Sequence, residues 1–243
     1  MEPTTLTYLL GLAGTTGIIH TLMGPDHYVP FIAMARARDW SLPRTLAITL
    51  ACGVGHVLGS LILGAVGIAI GMAVGGLDAF ESARSHIAAW LMLGFGLAYT
   101  VWGVQRAIRN KPHSHFHVHA DGTVHDHTHT HAADHAHVHD ARVHNADDNP
   151  ASITPWVLFT IFVFGACEPL IPQLMYPAAQ GSWWALALVV GVFAFGTLST
   201  MTLCVAVGYL GLARLSLEPL ERYAHAAAGL AVTACGLAIM LGL

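Results

Sequence analysis

The sequence predicts an all-α membrane protein with about six transmembrane helices, arranged as two inverted three-helix repeats around a polar loop. Three observations carry this. Of 243 residues, 55% are hydrophobic and 10% are charged, against about 25% charged in an ordinary soluble domain; the mean hydropathy is +0.59. Apolar runs of about 20 residues, the length that crosses a bilayer, recur along the chain. Between them lies a polar stretch, His113 to His144, that holds 12 of the 17 histidines.

This composition excludes a soluble globular enzyme and a disordered chain. Ten Lys and Arg against 14 Asp and Glu leave no basic surface for nucleic acid. The four cysteines, Cys52, Cys167, Cys204 and Cys235, all lie in apolar runs without a C-x-x-C pair. They form neither a disulfide framework nor a zinc knuckle.

Taken in order, residues 1–110 form the first transmembrane half, with spans at 5–23, 46–74 and 85–104. Residues 25–37 are apolar but short and carry Pro25 and Pro30, which suits a broken or re-entrant segment better than a further crossing. Residues 111–152 form a His-rich loop. Residues 153–243 form the second half, with spans at 153–175, 183–212 and 220–243, the first interrupted by Pro169 and Pro172. No Lys or Arg precedes Arg36, so the first span reads as a retained helix. With six crossings, one side collects Arg36, Arg38, Arg44, Arg106, Arg109, Lys111, Arg142, Arg214 and Arg222, and the other only Arg84. The positive-inside rule then puts both termini outside and the loop in the cytoplasm of a bacterial-type inner membrane.

The halves show weak self-similarity. Asp26 precedes Pro30 by four residues in PDHYVPFIAMA, and Glu168 precedes Pro172 by four in CEPLIPQLMYPA. In the same alignment Gly55-His56 faces Gly196-Thr197. An odd number of spans in each half inverts one against the other, a common transporter plan with broken helices meeting at mid-membrane.

Within the apolar segments, Asp26 and Glu168 read as the only carboxylates, and no Arg reads as mid-span. A charge at the bilayer centre costs roughly 2.5–3.5 kcal/mol on insertion scales, so such residues pair or bind something. His20, His27 and His56 are the imidazoles nearby. Imidazoles with one or two carboxylates suit nickel, cobalt, copper(II) or zinc better than calcium or magnesium. Blander readings stand beside this one. His56 reads equally as a hydrogen-bonded core histidine, and Asp26-His27 as a helix cap. Glu168 reads as a protonated structural carboxyl, and Thr197, Ser199 and Thr200 as small helix-packing residues.

His20, five intervening residues, then Asp26-His27 resembles the first-helix signature of the nickel/cobalt permeases, in which four residues intervene. The pattern is more similar to the NicO/RcnA nickel–cobalt transporters and the urease-accessory-like (UreH-type) transmembrane proteins. Gly-x-Gly-His56 and Phe-Gly-x-Cys167-Glu168-Pro169 also resemble that group. The resemblance implies membrane transport of Ni2+ or Co2+ as cargo, without a prosthetic group and without enzymatic activity. His20, Asp26, His27, His56 and Glu168 would form the path, with Cys167, Thr197 and Thr200 as possible lining.

In the loop, His113, His115, His117 and His119 alternate with other residues, as do His125, His127, His129 and His131, then His135, His137 and His139; His144 follows. Small and polar spacers offer too little apolar surface to offset ordering entropy, so the segment is expected to be disordered without ligand. Neutral imidazole binds Ni2+, Co2+, Zn2+ and Cu2+. Protons compete, so binding should fade below about pH 6.5. A cytoplasmic chelator favours efflux over uptake, though it also fits an importer that buffers what arrives. Proton coupling follows if metal binding releases ligand protons, and a homo-oligomer in the lipid bilayer is compatible with so apolar a surface.

Two alternatives belong to other classes. A thiol–disulfide electron carrier of the DsbD/CcdA type shares an architecture with inverted halves and Cys near Pro, but a dithiol relay needs two thiols within bonding reach, and Pro25 stands opposite Cys167 in the alignment. A sulfite or organic anion exporter of the TauE/SafE type would want Arg or helix N-termini along the path. Deleting residues 113–144 is expected to change the apparent metal affinity of transport while leaving transport itself, read as initial rate against metal concentration.

Overall fold

The structure, a computed structural model, describes residues 2–69, 74–109, 113–118, 124–129, 153–165, 167, 169–213 and 222–242. Its helices are α1 (Pro3–Met23), α2 (Val29–Ala37), α3 (Leu42–Ala69), α4 (Val74–Arg109), α5 (Ile153–Phe164), α6 (Leu170–Ala179), α7 (Trp183–Ala213) and α8 (Ala224–Leu241). Among the described residues, four stretches are long and apolar enough to cross a membrane: Pro3–Met23, Leu42–Gly67, Ala79–Ile108 and Trp183–Ala213. Ile153–Phe164 and Ala224–Met240 are shorter apolar helices. This is the make-up of a multi-pass membrane protein. Large apolar side chains such as Ile62, Val101, Phe195 and Leu203 face outward, as suits lipid rather than water.

Proline sets the breaks. Pro25 has no N–H and disfavours helical geometry at the residue before it. Gly24 accordingly turns to φ −90°, ψ 95°, closing α1 with its N–H on the His20 carbonyl. A single 3-10 turn, Pro25–His27, follows, and α2 restarts with Pro30 in its first turn, where a missing N–H costs nothing. In the second half α5 stops at Phe164, and α6 begins behind Pro169.

Each broken pair runs alongside an unbroken helix from the other half. A Cβ on Gly14 would meet Val192, and one on Gly208 would meet Ile32. Thus α1 and α2 together run parallel to α7. Likewise a Cβ on Gly55 would meet Phe159, and one on Gly64 would meet Leu174, so α5 and α6 run parallel to α3. The third pair, α4 and α8, packs antiparallel through a matched seam. Gly96-x3-Thr100-x2-Gly103 on α4 lies against Gly229-x3-Thr233-x2-Gly236 on α8. A Cβ on Gly96 would stand 2.5 Å from the Thr233 backbone nitrogen, and one on Gly229 would collide with Thr100. Small residues let the backbones approach this closely, which is how helices associate where lipid supplies no hydrophobic drive. Phe31, Met34, Leu158, Phe162, Val205 and Val232 form the larger buried cluster, and Val57, Leu170, Val189 and Phe193 belong to a second.

In the His-rich stretch, β1 (His113–Val118) and β2 (Val124–His129) pair antiparallel, with His113 opposite His129, His115 opposite His127 and His117 opposite His125. Composition alone does not anticipate this ribbon. His119, His131, His135, His137, His139 and His144 lie outside the described residues.

The sequence reading of the charges around the third span needs correction. Arg84 is not a loop residue, and Asp26 and Glu168 are not the only carboxylates in apolar segments. α4 begins ten residues before Arg84, at Val74, and Glu81 is 1% exposed within it. Arg84 Nη1 donates to Glu81 Oε1 at 2.9 Å, one helical turn away. An Arg therefore lies inside a span, but as half of a buried ion pair.

Gly96→Leu is expected to destabilise the purified protein by about 1–3 kcal/mol through overpacking of the α4–α8 seam. Gly94→Leu, on a position with nothing within 4 Å, should stay within about 0.5 kcal/mol. Thermal unfolding midpoints of the two variants check this.

Candidate metal centre

Three elements bring the imidazoles together. His20 sits in the last turn of α1, His27 ends the 3-10 turn after the break, and His56 lies midway along α3. Because the chain bends at Gly24, His27 folds back onto His20 with ring centroids 4.8 Å apart. His56 meets His27 from the other side at 5.2 Å. One nitrogen from each ring lies within 4.8 Å of the others. Asp26 borders the group, its side chain 25% exposed and its Oδ1 3.3 Å from His27 Nδ1.

Hydrogen bonding aims the rings. His27 Nδ1 faces only acceptors, the Gly24 carbonyl at 3.1 Å and the Asp26 carboxylate. His56 Nδ1 faces the Phe162 carbonyl at 3.3 Å. A neutral imidazole in such a setting carries its proton on Nδ1 and presents Nε2 as a lone pair. The Nε2 atoms of His20, His27 and His56 are all buried without a hydrogen-bond partner. One orphaned buried nitrogen is uncommon; three on rings that lie this close make a group that could hold a metal ion. Metal-ligating histidines are held this way, with the remote nitrogen fixed by a carbonyl or carboxylate.

The nitrogens face a cavity of about 390 Å3, lined also by Asp26, Met92 and Ile161. A transition metal bound at about 2.0–2.1 Å would set tetrahedral nitrogens about 3.4 Å apart. The ligand atoms, now within 4.8 Å of one another, would have to draw closer to hold such an ion. Gly24 is required here. A Cβ on it would stand 2.6 Å from His27 Nδ1 and 2.8 Å from Asp26 Oδ1.

The other sequence candidates fare differently. Glu168 lies outside the described residues. Cys167 is buried beside Leu170 and Val189 in the second core cluster, while Cys52 and Cys235 belong to the first; no disulfide joins any of the four cysteines. Thr197 is buried, with Oγ1 unpartnered, and packs where a Cβ on Gly17 would stand 3.1 Å from that oxygen. Neither Cys167, Thr197 nor Thr200 lines the cavity.

Sequence reasoning missed the polar cluster behind the site. Arg84 Nε donates to the Phe164 carbonyl at 3.2 Å, and Nη2 to the Gly165 carbonyl at 2.5 Å and to Ser60 Oγ at 2.9 Å. The Cys167 N–H donates to the same Ser60 oxygen at 3.0 Å. The available signal was the spacing of Glu81 and Arg84, three residues apart, which pairs them on a helix.

No family model matches this chain, and no curated protein or solved structure matches it.

His27→Ala and His56→Ala are each expected to abolish the tightest class of Ni2+ sites in calorimetric titration of the full-length protein, leaving weaker loop binding in place. The loss should exceed the roughly 10–100-fold that follows removal of an outer partner. Gly24→Ala should weaken the same class by displacing His27 and Asp26.

Proposed function

We propose that this protein carries a divalent transition-metal ion, Ni2+ or Co2+, across the membrane, with His20, Asp26, His27 and His56 receiving the ion at a broken helix. The observation that carries the reading is the convergence of three unpartnered imidazole nitrogens beside a carboxylate, deep in an apolar bundle. Neutral nitrogen ligands with one carboxylate suit borderline divalent ions. Preference for nickel and cobalt rests on the resemblance of the His20 to His27 and Gly-x-Gly-His56 motifs.

The chain makes six passes as two inverted halves, each opening with a broken span: α1 with α2, and α5 with α6. Support comes from the cross-pairing of each broken span with the middle helix of the other half, and from the matched Gly and Thr residues of α4 and α8. Both termini face outward, and the His-rich loop faces the cytoplasm of a bacterial-type inner membrane. Moving Arg84 out of the outer loop strengthens that charge bias. Arg38 and Arg106 gather at one end of the bundle, over the Tyr99 and Trp102 rings.

The loop histidines raise metal concentration at the inner mouth, which favours export over import. Loading the imidazoles and Asp26 displaces protons, giving a route to proton coupling. Glu168 is proposed as charge partner or proton acceptor from the second half. A thiol relay gains no support, since Cys167 sits in a different cluster from Cys52 and Cys235. An anion path gains none either, since Arg84 is engaged by Glu81 and backbone carbonyls.

Cells expressing the protein should hold less nickel or cobalt, and tolerate more, than cells expressing His27→Ala. Higher content and lower tolerance would reverse the direction. Metal content and tolerance identical between the two would refute metal transport.

A further inference from the structure

Where α5 ends, two side chains reach the backbone carbonyls. His56 takes Phe162, while Arg84 takes Phe164 and Gly165. These contacts are joined through one residue. The Gly165 N–H donates to the Phe162 carbonyl at 3.1 Å, the same oxygen that His56 Nδ1 reaches. Arg84 holds the other end of Gly165 through its carbonyl. Ser60, one helical turn beyond His56 on α3, ties in both Arg84 and the Cys167 N–H. Glu81 supplies the countercharge that lets a guanidinium stay inside an apolar span.

We propose that Arg84, with Glu81 and Ser60, is a positioning residue for the metal ligand His56: it clamps the Phe164–Gly165 backbone at the end of α5 and thereby fixes the Phe162 carbonyl that orients the imidazole. This rests on the metal-transport reading of the site. The planar fork of Arg84 donates to two successive carbonyls, to Ser60 and to Glu81 at once. A lysine keeps the charge but lacks that geometry. Arg84 itself does not touch the ion. The carbonyl it aligns sets which nitrogen of His56 bears the proton and where Nε2 points. The clamp also gives the second half of the chain a part in metal binding, through its backbone.

The test is visible spectroscopy of the full-length protein in lipid nanodiscs titrated with CoCl2. The band lost in His56→Ala defines the intramembrane site and separates it from loop histidines. Arg84→Lys is expected to weaken Co2+ at that site roughly 10–100-fold and to shift its ligand-field band. Ser60→Ala should shift the band in the same direction with a smaller loss of affinity. If both variants keep the wild-type band and affinity, the inference is overturned. If Arg84→Lys does not yield folded protein, Ser60→Ala decides alone: a shifted band supports the clamp, and an unchanged one overturns it. If His56→Ala removes no band from the wild-type spectrum, the metal reading of the site fails, and the clamp inference fails with it.

Discussion

Lipid offers no hydrogen bonds, so a helix broken inside a membrane has to re-partner its backbone with protein groups. The rest of this structure depends on that constraint. At the first break, Gly24 accepts both the N–H and the ring nitrogen proton of His27. At the second, the carbonyls of Phe162, Phe164 and Gly165 are reached by His56 and Arg84. Satisfying the backbone in this way consumes Nδ1 of two imidazoles and leaves Nε2 free. The lone pairs that form the candidate site are thus a consequence of how the breaks are closed. Neutral nitrogens are also the inexpensive donors to place in lipid, and among the described residues lining the cavity only Asp26 is a carboxylate.

The two halves divide the work unequally. In the alignment, Asp26-His27 stands opposite Glu168-Pro169, and His56 opposite Thr197. All three imidazoles come from the first half, whereas the second supplies carbonyls, the Phe162 ring against Phe31 and the close seam of α8 on α4. Thr197 lies at the counterpart of His56, yet it packs on Gly17 rather than on the cavity. Among the described residues, the imidazoles that meet at the cavity therefore all come from the first half of the chain.

Much of the candidate site was legible in the residues themselves. Histidine and aspartate are rare in apolar segments, so His20, Asp26, His27 and His56 stood out. Pro25 and Pro169 marked the breaks because a missing N–H leaves little choice of geometry. Glu81 and Arg84 were hidden for a physical reason. Two charges within four residues lower the local hydropathy as a loop does, so the third span was read from 85 onward although the helix starts at Val74. Their charges cancel only once a helical turn stacks them. The Gly-x3-Thr-x2-Gly motif of α4 and α8 went unseen because small residues look alike in any membrane helix until a partner lies against them.

The sequence by itself determined the apolar make-up of a multi-pass membrane protein, the two proline breaks and which histidines stand out within the apolar segments. Each follows from local chemistry: transfer of apolar groups, the missing proline N–H, and the affinity of imidazole for borderline ions. Only the tertiary structure decided which helices run side by side, that Arg84 faces inward on carbonyls, and that His20, His27 and His56 meet with Nε2 atoms unpartnered. Those outcomes depend on contacts between residues distant in the sequence, such as Arg84 with Phe164 and His56 with Phe162, and no local pattern encodes such a partner.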